Sequence, residues 1–321
     1  MEFRSETDYA LFAKLRNEHP LLADLSYTWR RELHMTGDAR FFHARGPSAL
    51  KTGEMPLYEG KMIHQFSTQR WPATLFVCEN EVRPELFRKE LHRLIRFVRA
   101  QKPRKLEGKP TPKRSEELEQ VLKDIFEKRQ FKLQYEWPRI AYREVARSTD
   151  ERTLIAALLP VRVCLGHTLM YQNPYRYELK DGTLTQVPLE AEETNALLSL
   201  LNSLVLNYYL RSKVSAHVSA FQLEELPIPT LNADQKKQLV KSAELLSEIP
   251  DSLKERARLE VFIARDLYHL NADDWEHLTS TFTFGGKSDS KGELDEIIRL
   301  TKEFWNEKGA VMSASLTRAS Q

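Results

Sequence analysis

Arginine is the residue type whose placement in this chain most suggests chemistry. From Arg139 to Arg152 the sequence reads Arg-Ile-Ala-Tyr-Arg-Glu-Val-Ala-Arg-Ser-Thr-Asp-Glu-Arg, setting Arg139, Arg143, Arg147 and Arg152 around Tyr142. Guanidinium forks pair bidentately with phosphate or with guanine edges. Glu144, Asp150 and Glu151 lie among them, and pairing with these acids would simply hold a turn. A second concentration of charge runs from Arg83 to Arg114, with twelve Lys or Arg against three acids (Glu85, Glu90 and Glu107), a net +9 in thirty-two residues. On a chain of net charge +2, such an arm is the footprint expected for phosphate contacts, the plain alternative being a solvated helix face and loop. Its candidate DNA-binding residues are Lys102, Arg104, Lys105 and Lys109. Lys61 is a further candidate, in the string Met55-Pro-Leu-Tyr-Glu-Gly-Lys-Met-Ile-His-Gln-Phe66. There Tyr58, Lys61, His64 and Gln65 offer polar groups to a nucleic acid. Equally, Tyr58, Met62 and Phe66 form a core stripe with Glu59 and Lys61 as its solvent face.

Other constellations are incomplete. Adenine methylation needs an Asn/Asp-Pro-Pro-Tyr/Phe loop that accepts hydrogen bonds from the exocyclic amine and stacks on an extruded base. Asn173-Pro-Tyr-Arg176 lacks the second proline, no glycine-rich strand–turn–helix precedes it, and it reads as an ordinary turn. Thr283-Phe-Gly-Gly-Lys287 lacks the spacing of a phosphate-binding loop and reads as a surface loop. His34, His43 and His64 lack metal spacing, and His92 stands alone on a basic helix. Glu79 and Glu81 near Lys89 are too common a grouping to specify a nuclease. No catalytic residue, metal site or cofactor site is therefore expected in this chain.

The elements that must position these residues alternate in character. Residues 6–18 have the apolar spacing of a helix, which His19-Pro20 ends. Residues 25–66 read as strand and turn, punctuated by Gly37-Asp38, Gly46-Pro47 and Gly53. A β-prone run from Ala73 to Cys78 follows Trp71-Pro72. Pro84 to Ala100 predicts a helix with an apolar stripe of Phe87, Leu91, Leu94, Ile95 and Val98. Gln101 to Arg114, with three prolines, predicts an exposed basic loop, and Ser115 caps a second helix. From Arg139 to Glu178 the pattern is again β-prone, and Lys180-Asp-Gly182 is a hairpin turn. Glu190 to Lys213 predicts one amphipathic helix, with Leu197, Leu198, Leu201, Leu204, Val205 and Tyr208 on its stripe. Residues 233–321 are mostly helical, broken at Pro250, Asn271 and Gly285-Gly286, with a frayed last dozen.

At 321 residues the chain can bury a substantial core. Hydrophobic residues make up 41% and charged residues 29%, neither of which signals disorder. No apolar run approaches the roughly 20 residues of a membrane span, and the N-terminus has no signal-peptide core. Cys78 and Cys164 lack CxxC spacing and read as reduced thiols. These features fit a cytoplasmic protein.

The Met55–Phe66 string is followed by Arg139–Thr153 running into Leu154-Ile-Ala-Ala-Leu-Leu-Pro160. Asn195-Ala-Leu-Leu-Ser-Leu-Leu-Asn-Ser203 then leads to Leu223-Glu-Glu-Leu-Pro-Ile-Pro229. In this order they resemble the C-terminal target-recognition region of type IIG-like and TaqI-like adenine-specific restriction–modification DNA methyltransferases, over roughly residues 30 to 305. Arg31-Glu-Leu-His-Met-Thr-Gly-Asp38 with Phe41-Phe42 resembles that family's lead-in, and Arg258-Leu-Glu-Val-Phe-Ile-Ala-Arg-Asp-Leu-Tyr-His-Leu270 its tail, with His269 where the family often has glycine. Leu204 to Pro229 is also similar to the end of recognition domains in type I specificity subunits. The basic arm matches no particular family feature. The resemblance implies a mixed α/β (α+β) fold. A DNA target-recognition domain would span residues 1–232, with a helical hairpin at about 84–130, followed by a helical region over 233–321. It implies sequence-specific binding of double-stranded DNA, in a restriction–modification or phage-defence setting, alongside a methyltransferase domain or subunit. S-adenosylmethionine, and Mg in some members, belong to a complete family member. Without the catalytic part, the chain reads as a split specificity subunit, a truncated product or a designed fragment. The alternative is a protein-interaction module of a bacterial defence complex.

Overall fold

In the computed structural model, residues 5–44, 50–148, 150–282 and 291–306 are described. Helix α1 (Glu6–Glu18) is opened by Ser5, whose hydroxyl accepts from the Asp8 N–H at 3.1 Å. Leu11, Phe12 and Leu15 form its buried face, and His19 leaves the helix in extended backbone because Pro20 follows. Short strands come next: β1 (Trp29–Arg30), β2 (His43–Ala44), β3 (Glu54–Tyr58) and β4 (Leu75–Cys78).

The basic arm is α2 (Glu79–Gln101), β5 (Lys105–Leu106), β6 (Lys109–Pro110) and α3 (Ser115–Lys128). Helix α2 begins at Glu79, ahead of the expected Pro84, with Glu79 and Glu81 in its first turn, where carboxylates complement the helix dipole. Pro84, the sixth residue of α2, lies past the first turn and forgoes the N–H bond to the Asn80 carbonyl.

The predicted exposed loop between the helices is instead a tight hairpin. Glu107 (φ 50) and Gly108 (φ 78) make its left-handed turn. Leu106 is buried among Leu94, Val98, Leu118 and Leu122 in a small core of the arm. After the arm come β7 (Arg139–Arg143), β8 (Ala156–Leu159), β9 (Cys164–Leu165) and β10 (Leu169–Gln172), then a second hairpin, β11 (Tyr175–Lys180) with β12 (Thr183–Pro188), to which the arm tip is bolted. The Glu107 N–H donates to the Gly182 carbonyl at 2.8 Å, and the Glu107 carboxylate accepts from the Leu184 N–H at 3.0 Å and from Arg129 at 2.6 Å.

Two four-stranded sheets carry the centre. One runs β2-β4-β3-β9, antiparallel except for the parallel β3–β9 pair. The other runs β1-β10-β7-β8, antiparallel throughout, with Arg139 opposite Leu159 and Tyr142 opposite Ala156. Amides meet the outer edge of β8 at its start and just before it: the Asn202 side chain bonds both the N–H and the carbonyl of Ala156, and Asn207 does the same for Leu154.

The predicted single helix over Glu190 to Lys213 is two, α4 (Ala191–Leu201) and α5 (Leu204–Arg211). Ser203 breaks it by capping the Leu206 N–H at 3.2 Å, while the Glu260 carboxylate takes the Leu204 N–H at 2.7 Å. Then come α6 (Ala220–Glu224), α7 (Ala233–Glu248), α8 (Leu253–Val261), a π-helical turn over Phe262–Leu267, α9 (Ala272–Ser280) and α10 (Lys291–Phe304). One hydrophobic core joins Leu11 and Leu15, Leu197 to Leu206, Leu239, Ala243, Phe262 and Trp275, so apolar packing crosses residue 232 without interruption. The predicted Gly46-Pro47 and Gly285-Gly286 turns, Thr283-Phe-Gly-Gly-Lys287 and the last dozen residues lie outside the described residues. Among the described residues, no helix is long and apolar enough to cross a membrane.

Candidate nucleic-acid interface

Charge on the arm is sorted along its length. Near the base of α2, cations are matched: Arg83 with Glu136 at 3.1 Å, Arg88 with Glu85 at 2.6 Å, Lys89 with Asp38 at 2.8 Å and Arg93 with Glu90 at 2.9 Å. Toward the tip they are not. Arg96, Lys102, Arg104, Lys105, Lys109 and Lys113 are all exposed, and none has a carboxylate partner among the described residues. Lys102 closes α2 in a left-handed conformation, and Lys105 and Lys109 flank the Glu107-Gly108 turn. The hairpin thus presents its cations from a braced support.

The arginines of the 139–152 segment separate into two kinds. Arg139 and Arg152 do not face solvent, which corrects the expectation that they contact DNA. Arg139 donates through Nη2 to both Glu32 oxygens at 3.2 Å and to the Val163 carbonyl at 2.7 Å, beneath the ring of Tyr171. Strand β7 is covered on both faces, so an arginine there must bring its counter-ion inside. Arg152 is buried against the Asn202 carbonyl at 3.3 Å and Glu260 at 3.4 Å. Arg143 is half-buried: its stem lies over Gly60 and its Nη2 donates to the Ile63 carbonyl. Burial, with Arg70 nearby, pushes its pKa down to about 10. Arg147 is exposed, and among the described residues its backbone alone is engaged, the N–H donating to Asp150 at 2.8 Å. Glu144 is taken by Arg31, not by an arginine of the segment. Lys61 is exposed and pairs with Glu59 at 3.0 Å.

The strings spaced along the sequence meet at one place. Gln65, one of the polar groups that the string could offer to a nucleic acid, is buried and donates to the Asn202 carbonyl at 2.7 Å. Phe66 is held at φ 63 with its N–H on the Ala156 carbonyl at 3.1 Å. Met62 and Phe66 are buried and Tyr58 half-buried, as the core-stripe alternative required. From α8, Arg256 reaches the Gln65 carbonyl at 3.5 Å and Glu260 meets Arg152. Burial raises the Glu260 pKa against the pull of Arg152. The Met55–Phe66, Arg139–Thr153 and Asn195–Ser203 segments are thereby joined to the C-terminal helices.

Arg70 and Arg256 belong to this junction and were not singled out from sequence. The available signal was slight: Arg70 follows the Met55–Phe66 string and Arg256 just precedes Arg258-Leu-Glu-Val. Asn173 is a buried turn residue, its Oδ1 accepting from Arg30 at 3.0 Å and its N–H donating to the Thr28 carbonyl at 2.8 Å. Near Tyr58 lies an open, mainly apolar pocket of about 470 Å³, lined in part by Leu50, Pro56, Met62, Gln69 and Trp71. Neither a family profile nor a curated protein matches this sequence.

Proposed function

We propose that this chain is a DNA target-recognition module that works with a separately supplied adenine methyltransferase. It binds duplex DNA, does no chemistry of its own, and leaves S-adenosylmethionine to its partner. The observation that carries this reading is the row of unmatched cations at the braced arm tip. Evenly solvated surfaces usually intersperse charges of both signs, whereas an unmatched row suits a polyanion. Phosphate contacts from the tip supply affinity, and Arg143, Arg147 and Lys61 are the remaining candidates for groove contacts.

The test is fluorescence polarisation with duplexes across a salt series. Replacing Lys102, Arg104, Lys105 and Lys109 by glutamine should weaken binding to all duplexes alike. The log–log salt slope should flatten by about 0.9 for each phosphate that is no longer neutralised. Unchanged affinity and slope would rule out the arm as the DNA-binding element.

A protein-interaction module is the second reading, favoured by the pocket, where Trp71 is 58% and Leu50 53% exposed. Exposed large apolar side chains lining one depression mark partner surfaces. Partner binding that persists at high salt without DNA, together with no duplex affinity, would select it.

A further inference from the structure

We propose that Arg70, Arg143, Arg152 and Arg256, gathered around His64, form a seat for a tetrahedral oxyanion of the phosphate class. Short chain segments bring them there. Arg143 donates to the Ile63 carbonyl and Arg256 to the Gln65 carbonyl, the residues on either side of His64. Arg152 shares the Asn202 carbonyl with Gln65. The Arg70 N–H closes the loop onto the Met62 carbonyl at 3.1 Å, and within that loop His64 and Ser67 exchange backbone hydrogen bonds at 2.8 and 3.1 Å.

The negative charge at hand does not match these guanidinium groups. Glu260 meets Arg152 at 3.4 Å but spends its other oxygen on the Leu204 N–H. Glu293 reaches Arg256 only at 3.7 Å and is half-exposed. Asp150 and Asp251 act on Arg143 and Arg256 from the exposed surface, and Asp150 is already engaged by the Arg147 N–H. Arg70 has no carboxylate partner among the described residues. The Nε atoms of both Arg143 and Arg256 are buried without a hydrogen-bond acceptor among the described residues. A buried donor left unmade is costly, and a buried guanidinium without a counter-charge more so. Burial is the largest cause in pushing Arg143 and Arg256 down to about 10 and His64 down to about 2, the charges of the four arginines adding to it at His64.

A bound oxyanion would supply a counter-charge to Arg70 and Arg143 directly and offset the charge of Arg152 and Arg256 behind them. A tetrahedral oxyanion has acceptor lone pairs in several directions and suits convergent guanidinium forks better than a planar carboxylate, which one fork saturates. Arg70 is exposed, and Arg143 and His64 are half-buried, so the seat is open on the loop side. The seat does not depend on the DNA reading. Inorganic phosphate and a DNA backbone phosphate share the chemistry it requires.

The experiment uses the full chain. Inorganic phosphate is titrated against chloride at constant ionic strength and Tm is followed. The seat predicts a saturable rise in Tm with phosphate that chloride does not give. Arg70→Ala, chosen because its side chain lies on the surface, should shift the phosphate midpoint upward by about tenfold or more, the worth of one charge-assisted hydrogen bond. Arg104→Ala on the arm should not move it. A Tm response no greater than that of chloride, or one that Arg70→Ala leaves unchanged, overturns the proposal. A duplex arm assigns the occupant. Phosphate that competes with duplex marks a backbone-phosphate seat, and phosphate that binds alongside duplex marks a seat for free phosphate. Failure of the phosphate titration with arm-dependent DNA binding intact removes this inference and leaves the recognition reading standing.

Discussion

Arg139 and Glu32 face each other with no exposed side-chain surface on either. Glu32 also accepts from Gln134 at 3.0 Å and from the Leu165 N–H at 2.6 Å, so it ties β7 and β9 to the segment after β1. Arg139→Ala should therefore cost about 3–5 kcal/mol in urea denaturation, because it strands a buried carboxylate. Arg139→Met with Glu32→Gln should recover part of that deficit. Arg147→Ala should leave stability within about 0.5 kcal/mol. If Arg147 reads a base, its removal costs about 1–3 kcal/mol on the cognate duplex and little on a scrambled one. His64 makes the third residue-scale prediction. The folded protein holds its imidazole neutral down to about pH 2, whereas the unfolded chain takes up that proton near the ordinary value of 6.5. Its contribution is complete above pH 6.5 and declines as pH falls through the window below, by at most about 1.4 kcal/mol per pH unit. His19, lowered by burial, adds in the same direction. Denaturation midpoints at pH 7 and 5 should differ less for His64→Gln than for the native chain, and equal differences would remove His64 as the source.

At the scale of elements, what was legible followed local rules. The apolar spacing and the His19-Pro20 stop marked α1, and Asp181-Gly182 set the β11–β12 turn. Ser203 was also visible, but the leucine stripe continues through it. Glu260, 56 residues further on, takes the Leu204 N–H beside the Ser203 cap, and that half of the break is not visible locally. The arm tip was hidden for another reason: prolines and lysines surround Leu106, whose burial depends on helices on both sides. Arg139 was misread because its partner lies 107 residues away, beyond any local pattern. The brace between arm tip and β11–β12 gives an element-scale prediction. A Cβ at Gly182 would lie 2.6 Å from the Lys105 carbonyl oxygen, and φ there is +77°. Gly182→Ala must therefore push the two hairpins apart. Amide exchange at Glu107 and Leu184 should quicken markedly while the helical core stays protected. Unchanged protection at both amides would show that the hairpins are not mechanically coupled.

Across the whole molecule, the core does not respect the change from strand-rich to helical sequence. Helix α7 carries Leu239, Ala243 and Leu246 into the same core as Leu197 to Leu201. A chain ending at residue 232 should lose cooperative thermal unfolding and bind a hydrophobic dye. A sharp, dye-free transition in that fragment would instead mark an independent unit. The amides that meet the edge of β8 bear on how many copies of this chain can coexist. An uncovered terminal strand is a template on which another polypeptide can add itself, and repetition of that event builds insoluble assemblies. Asn202 and Asn207 occupy the hydrogen-bonding sites such an incoming strand would need. The Phe66 N–H shares the Ala156 carbonyl with Asn202, whereas the Leu154 backbone relies on Asn207, which makes Asn207 the position to test. Asn207→Ala should scatter light on mild heating at concentrations where the native chain stays clear, with a lag that shortens as concentration rises.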